Sequence, residues 1–130
     1  MTTKTKAANQ AVRAIEELAT AIPHISGCLL ASPDGRSLAS ALPGHDRRST
    51  AAIVASSRGL GERLADLAGT GVLNEIVVRS SSGYVIVYSV STKGALTVLA
   101  KPSVNLALVH LRARDTIDEL IDLIDNINAE

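Results

Sequence analysis

Two apolar runs lie back to back late in the chain, Tyr84 to Ser91 and Ala95 to Ala100, separated only by Thr92-Lys93-Gly94. Successive side chains of a strand point to opposite faces, so a run that is apolar in both phases has no face left for water. The connection is too short for a crossover, which makes the pair antiparallel. Such a hairpin must be covered on both sides, and helices are the economical cover. Aromatic bulk is not available for the task. Of 130 residues, 46% are hydrophobic but only 2% are aromatic, with two Tyr and no Phe or Trp. The core is therefore expected to be built from Ala, Val, Ile and Leu.

The remaining elements fall around this hairpin. Residues 1–6 read as a flexible leader and 7–130 as a single domain, since the chain has about one domain's length. Ala8, Ala11, Val12, Ile15, Leu18, Ala19 and Ile22 step by threes and fours, which marks one face of a helix that Pro23 stops. Ile25 to Ser32 reads as a short apolar strand. Pro33-Asp34-Gly35 turns the chain, and Ser37 to Leu42 returns as the second strand of a hairpin.

A second helix opens at Asp46, a good N-cap, and runs to Ala68 with Gly69 as its C-cap. Ile53, Leu60, Leu64 and Leu67 fall on one of its faces. Gly59 and Gly61 lie inside it, each costing about 1 kcal/mol relative to Ala, so something nearby favours the missing side chain. Leu73 to Ser80 is a further strand, joined through Ser81-Ser82-Gly83 to the run at Tyr84. After Pro102 a third helix spans about Val104 to Ile127, with Ile117, Leu120, Ile121, Ile124 and Ile127 as its apolar stripe. The order α-β-β-α-β-β-β-α predicts an α+β sandwich: a five-stranded antiparallel sheet between helices.

Charge narrows the function classes. Thirteen basic and thirteen acidic residues cancel, which argues against a dedicated nucleic-acid binder and against electrostatic docking to a membrane surface. The balance is uneven along the chain. Residues 1–65 hold 8 basic and 5 acidic side chains (+3), and residues 66–130 hold 5 and 8 (−3). Asp115 to Glu130 carries six acids and no base, which reads as a solvated helix face or an acidic surface for a partner. The opening residues lack the apolar stretch of a signal peptide, and no run approaches a membrane span. The expectation is a cytoplasmic chain.

Chemistry-bearing residues are sparse. His24, His45 and His110 show no metal-ligand spacing, so no metal site is expected. Cys28, the single cysteine, lies in an apolar strand and reads as an inert small hydrophobe. Gly69-Thr70-Gly71 leads into a strand rather than a helix, which suits a helix cap and turn better than a phosphate cradle. Tyr84 and Tyr88 share one strand face and are expected to pack under a helix with their hydroxyls reaching an edge. No catalytic residue and no cofactor are expected.

The ordered combination of Ile22-Pro23, Ile25-Ser26-Gly27-Cys28-Leu29-Leu30-Ala31-Ser32-Pro33-Asp34-Gly35, Leu38-Ala39, Ala95-Leu96-Thr97-Val98-Leu99-Ala100 and Asn105-Leu106-Ala107-Leu108-Val109 resembles the roadblock family. That family is named for a dynein light chain and includes bacterial MglB-type regulators of Ras-like GTPases. The resemblance spans about residues 8–125. It implies a roadblock (profilin-like) fold, with the first and third helices on one face of the sheet and the second on the other. It further implies a homodimer that pairs the second helix with its mate and strand three with strand three. Its implied partners are small Ras-like GTPases or larger assemblies, bound without a universal catalytic residue.

The residues offer their own support for pairing. Ile76, Val77 and Val78 would make strand three an apolar edge with no Pro to blunt it, and such edges aggregate unless paired. Ala52, Ala55, Ser56 and Gly59 form a small-residue stripe that permits close helix–helix approach, although the same residues would fit a tight helix–sheet contact. Arg47 and Arg48 occupy the first turn of the second helix, where positive charge opposes the macrodipole. With Arg58 and Arg63 they are candidate contacts to an acidic partner surface. The function so implied is a non-enzymatic homodimeric platform that binds and regulates a small Ras-like GTPase. The alternatives are a structural adaptor, for example with a sensor kinase, that leaves nucleotide state unaltered, and a small-molecule sensor.

Overall fold

The structure, a computed structural model, describes residues 2–128. Helix α1 (Thr3–Ala21) leads to the hairpin β1 (Ile25–Ala31) and β2 (Ser37–Ala41). Helix α2 (Arg47–Ala68) then connects to the meander β3 (Glu75–Ser80), β4 (Gly83–Val90) and β5 (Gly94–Ala100), and α3 (Leu106–Asn128) closes the chain. This is the expected order. The five strands form one sheet in the order β2-β1-β5-β4-β3 with every neighbouring pair antiparallel. Strands β2 and β3 are its edges.

Local chemistry sets the element ends. The first helix starts at Thr3, inside the stretch read as a leader. The Thr2 hydroxyl caps it by accepting from the Thr5 N–H at 3.1 Å, while residues 2–6 remain exposed. A cap holds that turn, and packing begins only at Ala7. In the β1–β2 turn the Gly35 N–H donates to the Ser32 carbonyl at 3.1 Å and the Arg36 N–H to the Ser32 hydroxyl at 2.9 Å. Gly35 has φ +88° and backs onto α2, where a Cβ would lie 3.3 Å from Ala52 Cα. At the start of α3 the Asn105 side chain accepts from the Leu108 N–H at 3.1 Å, so the helix begins just after the position expected from Val104.

The sheet has two unequal covers. Helices α1 and α3 lie side by side on one face and enclose the larger core, with Ile15, Leu18, Ile22, Leu30, Ile86, Leu96, Val98, Val109, Leu120 and Ile124 buried. Helix α2 alone covers the other face, over Leu29, Ala31, Leu42, Val87 and Ala95, and it contributes only Ala51 and Val54 to that core. The apolar stripe of α3 sits where its periodicity put it. Asp115, Asp118, Glu119, Asp122 and Asp125 are exposed, and Asp125 pairs with Lys93 at 2.7 Å. Glu130, the last acid of that run, lies outside the described residues.

One face of the second helix is uncovered. Ile53, Leu60, Leu64 and Leu67, the stripe an amphipathic helix would turn inward, point to solvent. The floor beneath α2 is already filled by Leu29, Leu42 and Val87, so the helix approaches the sheet through small residues. Gly61 is the clearest case: a Cβ there would lie 2.9 Å from Ile76 Cδ1 and 3.0 Å from Leu73 Cδ2. Gly59, expected to mark a close helix contact, has nothing within 4 Å of its would-be Cβ in this protomer.

Candidate functional site

The surface that stands out is a bare helix face beside a bare strand edge. Ile53, Leu60 and Leu67 recur every seven residues along α2 with Leu64 between them, the spacing of a coiled-coil seam. Their exposures run from 59% for Leu64 to 85% for Leu67. Val72 in the following loop and Val78 on the α2 face of β3 extend the strip, and both are exposed. An uncovered apolar run of this extent on a small chain is the kind of surface that proteins use for interaction.

The strand edge can be described group by group. The Ser89 N–H donates to the Asn74 carbonyl at 2.9 Å, and Glu75 opposes Tyr88 in the ladder. Antiparallel residues alternate between turning both backbone groups toward a neighbour and turning both away. Ile76 and Val78 therefore bond to β4, while Glu75, Val77 and Arg79 present their N–H and C=O groups outward. Side chains alternate as well. Ile76 opposes Val87 and lies half-buried under α2, whereas Val77 opposes Ile86 and faces the α1/α3 side, exposed.

The expected site residues separate into groups. Ile76, Val77 and Val78 lie together on the β3 edge. Ala52 and Ser56 are exposed, and Ala55 is half-buried beside the β1–β2 turn. Ala55 and Gly59 line a cleft of about 830 Å³ between α2, that turn, the 69–74 loop and the β4–β5 turn. Arg47, Arg48 and Arg63 are exposed on α2. The Asp46 carboxylate at the cap accepts from the Arg48 N–H at 3.3 Å and the Ser49 hydroxyl at 2.6 Å. The Ser49 bond foremost, with the Arg48 amide, holds the Asp46 carboxyl below its usual range. This negative cap offsets the arginines' opposition to the helix dipole.

Arg58 corrects the sequence reading. Its guanidinium crosses the cleft and donates to the carbonyls of Ser91 and Gly94, and its Nε lies 3.2 Å from Glu62. Its side chain is only 11% exposed. Arg58 ties α2 to the β4–β5 turn, where Ser91 holds a positive φ of 56°, and is not presented to a partner. No periodicity announces such a role, because its acceptors are main-chain atoms more than thirty residues away.

A side-chain chain also escaped sequence reasoning. The Tyr88 hydroxyl lies 2.7 Å from His110 Nδ1, and His110 Nε2 lies 3.4 Å from Glu75 Oε2. The two rings meet edge to face, 5.7 Å apart at 83°. The chain joins β4, α3 and β3. Burial foremost, then the nearby Glu75 charge, raises the Tyr88 hydroxyl above its ordinary pKa. The register that opposes Glu75 to Tyr88 was the available signal, but it requires strand pairing to be known first. Cys28 is buried, and burial pushes its thiol up to about 12. Among the described residues no three His, Cys, Asp or Glu side chains gather as metal ligands do.

A five-stranded antiparallel sheet with two helices on one face and one on the other defines the roadblock, profilin-like class of proteins. The family model described as "Roadblock/LC7 domain" matches residues 11–100, and the chain belongs to this family. It is similar in structure to a Roadblock/LC7 domain from Streptomyces avermitilis, with TM-score 0.81 and 20% identity over 88% of this chain and 97% of that one. It is similar to the gliding protein MglB of Thermus thermophilus, with TM-score 0.80 and 21% identity over 92% and 91% of the two chains. An MglB described in a tetrameric arrangement matches with TM-score 0.84 and 21% identity over 93% and 92%. No curated protein matches the chain in sequence.

Proposed function

We propose that this chain acts as a homodimer whose paired second helices form one docking floor for a small Ras-like GTPase, and that it regulates that GTPase without catalysing a reaction itself. The observation that carries the reading is the uncovered stripe Ile53, Leu60, Leu64 and Leu67 beside the open edge of β3. Two copies that join β3 to β3 antiparallel in one continuous sheet are related by a two-fold axis perpendicular to it. Such an axis keeps each face on its own side, so both α2 helices lie on the same face with their stripes toward each other. Full cover of one Leu or Ile contributes about 1.5–3 kcal/mol. Two stripes together are therefore of the order needed to offset an association cost of roughly 4–15 kcal/mol.

In this dimer the leucine stripe, with Ile76 and Val78, forms the closer contact. Ala52, Ala55, Ser56 and Gly59 flank it. Arg47, Arg48 and Arg63 rim the floor and are the candidate contacts to the GTPase, while Arg58 supports the floor from below. The GTPase is the partner class that the roadblock family implies, and it implies a cytoplasmic location. Among the described residues no helix is long and apolar enough to cross a membrane.

Sedimentation tests the first step: a dimer at micromolar concentration is expected, and a monomer refutes the reading. GTP hydrolysis by the GTPase, with and without this chain, tests the second. A changed rate is expected. Stable binding with unaltered turnover and exchange would replace the regulator with the structural adaptor.

A further inference from the structure

We infer that the β3 strands of two copies pair in one register, with Val77 opposite Val77 of the partner subunit and Glu75 facing the partner's Arg79. The inference rests on the dimer proposed above and adds to it the register and the ion pair that selects it. A two-fold perpendicular to the sheet allows only side chains of the same face to oppose each other, so the pairing centres on Ile76, Val77 or Val78. The phase of the ladder distinguishes these. Glu75, Val77 and Arg79 carry the outward backbone groups, as the Ser89–Asn74 bond and the β3–β4 register require.

Centred on Val77, each of these residues opposes another of the set, and every outward N–H and C=O finds a partner. Centred on Ile76, Arg79 falls opposite residue 73, before the strand begins. Centred on Val78, Glu75 falls opposite residue 81, in the turn after the strand.

Charge selects the same register independently. On the α1/α3 face Glu75 and Arg79 stand symmetrically about Val77, so only the Val77 centre places opposite charges directly across from each other. Centred elsewhere, Glu75 or Arg79 faces Val77. The carboxylate is set in advance: His110 Nε2 lies 3.4 Å from Glu75, and the Tyr88 hydroxyl holds the imidazole at 2.7 Å. Arg79 makes no hydrogen bond or ion pair among the described residues. On the α2 face the same register sets Ile76 against the partner's Val78, apolar against apolar.

Two measurements test the register. Arg79→Glu leaves the His110 contact intact but sets acids opposite each other twice in the dimer, and Glu75→Arg does the same with bases. Each is expected to weaken self-association by about tenfold in sedimentation equilibrium, and the double exchange to restore it. In a Cys28→Ala background, Val77→Cys is expected to form a disulfide-linked dimer on mild oxidation, since directly opposed residues lie within disulfide reach. Ile76→Cys and Val78→Cys are expected to link poorly. Preferential linking of either of those two, or a double exchange no tighter than the singles, overturns the register while the dimer stands. A wild-type chain that sediments as a monomer overturns both.

Discussion

The two glycines of α2 make opposite predictions from identical chemistry. Replacing Gly by Ala in a helix interior gains about 1 kcal/mol of propensity. At Gly59 nothing in the protomer lies within 4 Å of the new methyl group, so the whole gain is expected. For a domain of this size it raises Tm by roughly 3–5 °C. At Gly61 the methyl group would lie 2.9 Å from Ile76 Cδ1 and 3.0 Å from Leu73 Cδ2. Both are ends of flexible side chains, so they can move, at an off-rotamer cost of about 0.5–1.5 kcal/mol. That cost cancels the propensity gain, and Gly61→Ala is expected to be near neutral. Gly61→Val adds bulk that cannot be accommodated in this way and is expected to cost about 1–3 kcal/mol. Urea unfolding at one fixed protein concentration measures all three, because association adds to apparent stability. A destabilising Gly59→Ala would refute the reasoning: the space beside Gly59 would then be filled by another molecule, and the glycine would lie within a close contact rather than flank one.

Other outcomes follow from the same contacts. Arg58→Met removes the charged donors to the Ser91 and Gly94 carbonyls and is expected to cost about 2 kcal/mol, with faster amide exchange in the β4–β5 turn; unchanged protection there would show that the tie is idle. Cys28, buried and with its thiol near 12, should resist a thiol-disulfide reagent at pH 8 until the chain unfolds, and stoichiometric labelling of native protein would contradict its burial. The Asp46 carboxyl is held below its ordinary pKa by Ser49 and the Arg48 amide, so its contribution is present above the unfolded-state value of about 4 and is lost as pH falls through the folded value. The Tm difference between wild type and Asp46→Ala should accordingly shrink below about pH 4, and a constant difference would exclude ionisation of the cap as its source.

Much of this protein was legible in one dimension. Asp46 and Gly69 bound α2 because capping is a contest among backbone groups a few residues apart. The turns at Pro33-Asp34-Gly35 and Thr92-Lys93-Gly94 set antiparallel hairpins because so short a link permits nothing else. Two-phase apolarity in β4 and β5 required a covered sheet, and the stripe on α3 pointed inward as its spacing demanded.

What the linear order could not decide is where a face points once the floor beneath it is full. The periodicity of Ile53, Leu60, Leu64 and Leu67 announces a buried stripe, and its meaning reversed when Leu29, Leu42 and Val87 occupied the space under α2. Arg58 looked like a surface cation until two distant carbonyls converged on it. Glu75, Tyr88 and His110 are unremarkable in sequence and form a chain only where β3, β4 and α3 meet. Local elements are set by interactions between near neighbours along the chain. Solvent exposure and long-range partners depend on which surfaces the fold brings together, and these packing choices divided the apolar residues of this protein into a core and an exposed face on α2.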